Sequence, residues 1–181
     1  MIGRRICVVG ASGSGKTTLA SVVAERLGVP HIELDALHHL PGWEQRPKPE
    51  MLELAREQMN GPGWVVDGNY SDITMRGPIW QEADTIVWLD LPRWQVMSQL
   101  IPRTVGRVIL RRELWNGNRE PWRNLFKWDD PYENILLWSW RTHGKIRTRY
   151  ERAIEDATFS HLTFVRLRTR RAIVEFLDSV A

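Results

Sequence analysis

The 181-residue chain carries 25 basic and 22 acidic side chains, for a net charge of +3, and 43% of its residues are hydrophobic. Those totals suit one domain, residues 1–181, with an ordinary buried core. They exclude a membrane span and a secretory leader, since no apolar run is long enough for the one and no cleavable core opens the chain. The lone cysteine, Cys7, sits in an apolar run, so an internal disulfide is excluded and a cytoplasmic protein with a buried structural thiol is expected. Charge is uneven. Residues 103–152 hold twelve basic and six acidic side chains, and ten of the twelve are arginine. Arginine's planar fork suits phosphate oxygens, nucleic acid would also be drawn to such a segment, and a solvated helix face is the third reading.

The elements alternate along the chain. Ile6–Gly10 is an apolar run, as expected of a strand buried on both faces. A helix follows with Leu19, Val22, Val23 and Leu27 on one face, ended by Gly28 with Pro30 just beyond. His31–Leu34 is a second strand, residues 35–48 a loop, and Pro49–Met59 a helix with proline in its first turn. After the turn Asn60-Gly61-Pro62-Gly63 come strands Trp64–Asp67 and Thr85–Leu89. Pro92 opens a helix expected to run toward Arg112. Residues 113–131 read as a polar excursion, followed by a long helix over Tyr132–Ile154. His161–Leu167 is the fifth strand and Arg170–Val180 the closing helix. Five short strands separated by helices imply an α/β protein with a parallel sheet covered on both faces. Of ten tryptophans, Trp64, Trp88, Trp138 and Trp140 fall at apolar positions and are assigned to the core.

Gly10-Ala11-Ser12-Gly13-Ser14-Gly15-Lys16-Thr17 matches the complete P-loop pattern, between an apolar strand and an amphipathic helix. The glycines allow backbone N–H groups to turn inward onto phosphate oxygens, and the helix N-terminus favours the same anions. Lys16 is expected at the β- and γ-phosphates, with Thr18 beside it, and the Thr17 hydroxyl on Mg²⁺. The loop alone leaves kinase, GTPase and motor ATPase open. No N-K-x-D guanine-reading motif is present, which argues against a GTPase.

The P-loop, LDALHHLPGW (Leu34–Trp43), VVDGNY (Val65–Tyr70), TIVWLDLPR (Thr85–Arg93) and the arginine-rich region together resemble the adenylate-kinase-like P-loop proteins. The nearest likeness is to the bacterial group often labelled topology modulation protein, of the FlaR type. It extends over about residues 4–177 and is weakest around Trp115–Tyr132. It implies a three-layer P-loop fold with five parallel strands in the order 2-3-1-4-5, and a helical lid, about residues 112–131, that closes over the phosphates.

The resemblance also suggests roles. Asp35, just past strand two, would bind the acceptor hydroxyl or act as its base, the alternative being a turn cap. Trp43 would wall the acceptor pocket or simply pack. Asp67 ends its strand as a Walker-B acid does and would hold Mg²⁺ with Thr17. Asn69 and Tyr70 would face the acceptor, and Arg76 would reach its phosphate if it has one. Asp90 is a competing acid assigned a mostly structural role. Arg103, Arg107 and Arg111, four apart, would share a helix face toward the cleft, with Arg107, Arg111 and the post-lid Arg147 the leading candidates for the transferring phosphoryl. Arg168 would cover the adenine. His38 and His39 lack partners at metal-ligand spacing. The resulting expectation is an ATP- and Mg²⁺-dependent kinase of a small molecule, possibly a nucleoside or nucleoside monophosphate. The rival is a nucleotide-dependent DNA- or RNA-binding regulator without kinase activity, although the tryptophans form no even stacking stripe and a nucleic-acid partner is disfavoured.

Overall fold

The computed structural model describes residues 2–127 and 134–180. Its centre is one parallel sheet of five strands, β1 (Arg5–Gly10), β2 (His31–Glu33), β3 (Trp64–Asp67), β4 (Thr85–Leu89) and β5 (Thr163–Leu167), in the order β2-β3-β1-β4-β5. Strand β1 lies in the middle, with Cys7 opposite Val66 on one side and Ile86 on the other. Every residue of β3 and β4 is buried. That is why both strands read as unbroken apolar runs: helices cover the two faces and leave no polar side.

The helices are α1 (Lys16–Leu27), α2 (Leu34–His38), α3 (Lys48–Gln58), α4 (Pro78–Glu82), α5 (Arg93–Ile109), α6 (Ile135–Glu155) and α7 (Arg170–Ser179). Alternate strand residues face opposite layers. Cys7, Val9, Val66, Ile86 and Trp88 pack with α3, α4 and α6, and Trp64 and Trp80 are buried in the same cluster. Ile6, Val8, Val65, Val87 and Leu89 pack with α1 and α7. Burial pushes the Cys7 thiol up to about 12, so it stays protonated and inert. None of the described helices is long and apolar enough to cross a membrane.

The structure corrects several expectations. Strand β2 ends at Glu33, one residue early, and Leu34–His38 form α2 where the end of the strand and the start of a loop are expected; α4 is an additional short helix. Trp140 is 50% exposed, lying under the Arg93 guanidinium rather than in the core. Helix α5 stops at Ile109, not near Arg112. It closes in a Schellman-type cap, with Arg111 N–H donating to Val108 O and Arg112 N–H to Arg107 O, and Arg111 in the left-handed region at φ 46°. That position usually holds glycine, as Gly28 does behind α1 at φ 62°. With arginine there, nothing in the sequence marks the end. In the segment expected to form a lid, the described residues carry two 3-10 turns, Trp115–Gly117 and Trp122–Phe126, and an antiparallel bridge between Glu113 and Arg119. The expected end of the lid and the expected helix start at Tyr132 lie outside the described residues.

Candidate functional site

The strand order puts the loops after β1, β2 and β3 at one end of the sheet, the end where ligands collect in such sheets. The loop Gly10–Gly15 turns there into α1. Gly13 has φ +87°, and a Cβ on it would meet Leu100 Cβ of α5 at 2.8 Å, so glycine is required by conformation and by close approach. A Cβ on Gly15 would meet nothing within 4 Å, which leaves the space before the α1 N-terminus open. Ser14 Oγ is buried in the loop without a partner. An open glycine cradle and an orphaned hydroxyl at a helix N-terminus fit an anionic phosphate group. Lys16 Nζ reaches back over the loop to Ala11 O at 3.1 Å. Burial holds its ammonium below the ordinary value and Arg103 adds to that, while Asp35, Asp67 and Glu33 pull it back up.

Next to the loop lies a compact acidic arrangement. Thr17 Oγ1 donates to Asp67 Oδ2 at 2.7 Å, with Glu33 Oε1 3.4 Å away. The other oxygen of Asp67 is 2.9 Å from His31 Nε2. Glu33 and Asp67 are register partners on β2 and β3, so the sheet itself sets the two carboxylates side by side. A hydroxyl flanked by two carboxylates is an oxygen donor set suited to Mg²⁺ alongside phosphates. Burial pushes the Glu33 carboxyl up, Trp115 opposes that, and Asp67 and Asp35 add to it. Neither His31 nor Glu33 was singled out in the sequence. A polar residue aligned with Asp67 on the neighbouring strand was the only available signal.

Asp35 is the second residue of α2 and accepts a 2.7 Å hydrogen bond on Oδ1 from the Tyr70 hydroxyl. Burial and the Asp35 charge push the Tyr70 phenol strongly up, so it stays a donor. His38 lies against the Tyr70 ring, and His39 stacks on Trp115 at 5.4 Å. Asn69 does not point to the acceptor side. Its side chain brackets Gly10, donating to Gly10 O at 2.6 Å and accepting from Gly10 N–H at 3.3 Å and from the Tyr150 hydroxyl at 3.0 Å.

Trp43 serves as a clasp. Its backbone N–H donates to Asn118 Oδ1 at 2.9 Å and its indole N–H to Arg119 O at 3.2 Å. Asn118 also donates to Leu40 O, and Asn116 to Ala36 O and His39 O. These bonds hold the 113–119 segment against the loop after β2.

The arginines separate into groups. Arg103 lies among Arg107, Glu120 and Asp35; loss of water and the Arg107 charge lower its pKa. It is the arginine whose charge reaches Lys16. Arg107 faces Arg103 and Glu120. Arg111 has left the shared face because the helix ends before it. Arg147 is not free for a phosphate: it is held by Glu151 at 3.3 Å and Asp90 at 3.6 Å. Arg76 is turned to Asp72 with 77% of its side chain exposed. Arg168 is exposed at the end of β5, 3.6 Å from Asp90. Asp90, buried, also pairs with Arg166 at 2.7 Å, which stacks over Trp88.

A glycine phosphate loop between strand β1 and α1, in a five-stranded parallel sheet ordered 2-3-1-4-5, defines a P-loop α/β fold. Residues 6–61 match the family model described as "ATPase family associated with various cellular activities (AAA)". Shikimate kinase from Acinetobacter baumannii, solved with shikimate, has a TM-score of 0.58 at 17% identity, over 98% of this chain and 90% of that one. A gluconokinase from Sinorhizobium meliloti has a TM-score of 0.50 at 19% identity, over 97% and 92%. A sugar kinase from a Janibacter species has 0.50 at 20% identity, over 97% and 93%. No curated protein matches the chain in sequence. The fold is therefore shared with small-molecule kinases.

Proposed function

We propose that this chain is a cytoplasmic P-loop kinase that moves the γ-phosphoryl group of ATP to a hydroxyl of a small molecule, nearest in kind to the bacterial topology modulation group. The observation that carries the reading is the pairing across the cleft: Lys16 over the glycine loop, and facing it the Asp35 carboxylate fixed by Tyr70 at 2.7 Å. A switch or motor needs the first of these and has no use for the second.

The loop from Ala11 to Thr18 binds the phosphates through backbone N–H groups and Lys16. Thr17, Asp67 and Glu33 would hold Mg²⁺, which when bound neutralises phosphate charge. Asp35 takes the proton of the acceptor hydroxyl as that oxygen bonds to the γ-phosphorus and ADP leaves. Arg103 and Arg107 offset charge on the transferring group, and Arg168 lies where the adenine would be covered. The positions of Arg76, turned to Asp72, and of Arg46, whose Nε donates to its own loop at Leu37 O, favour an acceptor without a phosphate. A nucleoside, sugar or comparable hydroxyl compound fits better than a nucleoside monophosphate.

The test is acceptor-dependent ADP release across nucleosides, nucleoside monophosphates, sugars and sugar acids, repeated with Lys16→Ala. Release with at least one hydroxyl acceptor and its loss in the variant are expected. ATP binding with no acceptor-dependent release from any class overturns the reading.

A further inference from the structure

A groove of about 620 Å³ lies outside the cleft, between the loop after β3 and the C-terminal half of α6. Its apolar part comes from Met75, Ala153 and Phe159, and its charged part from Arg76, Lys145, Arg149 and Arg152, with Asp156 the one carboxylate in the lining. Four cations against one acid is a strong local excess in a chain of net charge +3.

Three features set it apart from a solvated helix face. First, Lys145, Arg149 and Arg152 make no ion pair among the described residues, whereas Arg147 on the same helix pairs with Glu151 and Asp90. Second, the three recur at four- and three-residue spacing, so they line one side of α6 over about 10 Å. Third, the wall includes Gly144 in mid-helix, where glycine costs ~1 kcal/mol relative to alanine. No packing requires it, since a Cβ there would meet only Arg93 Nη2 at 3.8 Å. Gly144 lines the groove, so that stretch of wall carries no side chain. The volume lies within the ~300–1,000 Å³ usual for small-ligand sites.

We propose that this groove binds a small organophosphate, with its phosphate against Lys145, Arg149 and Arg152 and its organic part over Met75 and Phe159. The site is separate from the phosphate loop and does not depend on the kinase reading. Arg76 is anchored at its outer edge by Asp72, which also feels the Arg149 charge.

The test saturates the phosphate loop with Mg²⁺ and a non-hydrolysable ATP analogue, then titrates AMP, ribose 5-phosphate and a twelve-nucleotide single-stranded DNA by calorimetry. Saturable binding of AMP or ribose 5-phosphate is expected. Removing two charge-assisted contacts in Arg149→Glu/Arg152→Glu should weaken it about tenfold or more. Gly144→Leu keeps every charge but fills the groove, and should weaken it as well, with affinity for the ATP analogue unchanged in both variants. No binding of either monophosphate, or binding that both variants leave intact, overturns the proposal. Loss in the charge variant alone reduces the groove to nonspecific attraction and also overturns it. Binding confined to the oligonucleotide assigns the face to nucleic acid instead.

Discussion

On the proposed reading, the donor and acceptor halves of the cleft are built in opposite ways. The donor half is a contiguous stretch, Gly10–Thr17, whose work is done by backbone groups and one lysine. The acceptor half is assembled from five separated places: Asp35–His39, Trp43, Tyr70, Arg103–Arg107 and Trp115–Glu120. Side chains join them, and the hydrogen bonds span 35 residues from Tyr70 to Asp35 and 75 from Trp43 to Asn118. A contiguous backbone cradle tolerates little change in glycine content but is indifferent to distant sequence. A dispersed side-chain pocket can be retuned one residue at a time.

If the halves are separable, they should break separately. The largest effect is expected from Asp35→Asn, which removes the proton acceptor and leaves the cradle untouched. Turnover should fall by on the order of 10²–10⁴-fold with ATP affinity unchanged. Steady-state kinetics beside ATP titration check it, and a parallel loss of ATP binding would show that the halves are one unit. Gly13→Ala attacks the other half. The left-handed backbone and the Leu100 contact should cost roughly 1–3 kcal/mol of stability and reduce ATP affinity, read by thermal unfolding with and without nucleotide. An unchanged melting temperature would mean that the loop relaxes freely.

Asn118→Ala opens the clasp, leaving the Trp43 N–H and Leu40 O without their partner. A cost of about 1–3 kcal/mol is expected, appearing as a raised acceptor KM at nearly constant ATP affinity. A change confined to ATP affinity would place the clasp on the donor side. The smallest effect concerns pH. Burial lowers the pKa of His38 and His39, with mutual repulsion adding for His38, Lys48 acting the same way, and Asp35 opposing. The unfolded chain therefore binds more protons just below the ordinary value of 6.5, and stability rises with pH through that range. Melting temperature should fall from pH 7.5 to 5.5, and less steeply in His38→Gln/His39→Gln. Identical slopes would remove the histidines from the account.

The same contrast decides what was legible in the sequence. The loop, the helix behind it and the strands were readable because each is a local pattern: glycine spacing, an apolar run buried on both faces, a glycine cap at Gly28. The strand order came from family resemblance, not from periodicity. Arg111 was misplaced because an arginine occupies a cap position where glycine is the usual mark. The pairing of Arg147 with Asp90 and of Arg76 with Asp72 shows only in three dimensions. That Arg103 lies beside Asp35 as well as Arg107 is visible only in the folded chain. Glu33 and His31 became visible only once β2 and β3 were laid in register.

Asp90 collects Arg147, Arg166 and Arg168 onto one buried oxygen. That makes the cluster lopsided toward mutation. Any single arginine has two understudies, so its loss is shared. The acid has only a partial substitute: the exposed Glu151 pairs with Arg147 at 3.3 Å and Arg166 at 2.7 Å, while Asp90 alone is buried among all three. Random change should therefore drift more freely through Arg147 and Arg166 than through Asp90, for reasons of folding and not of chemistry.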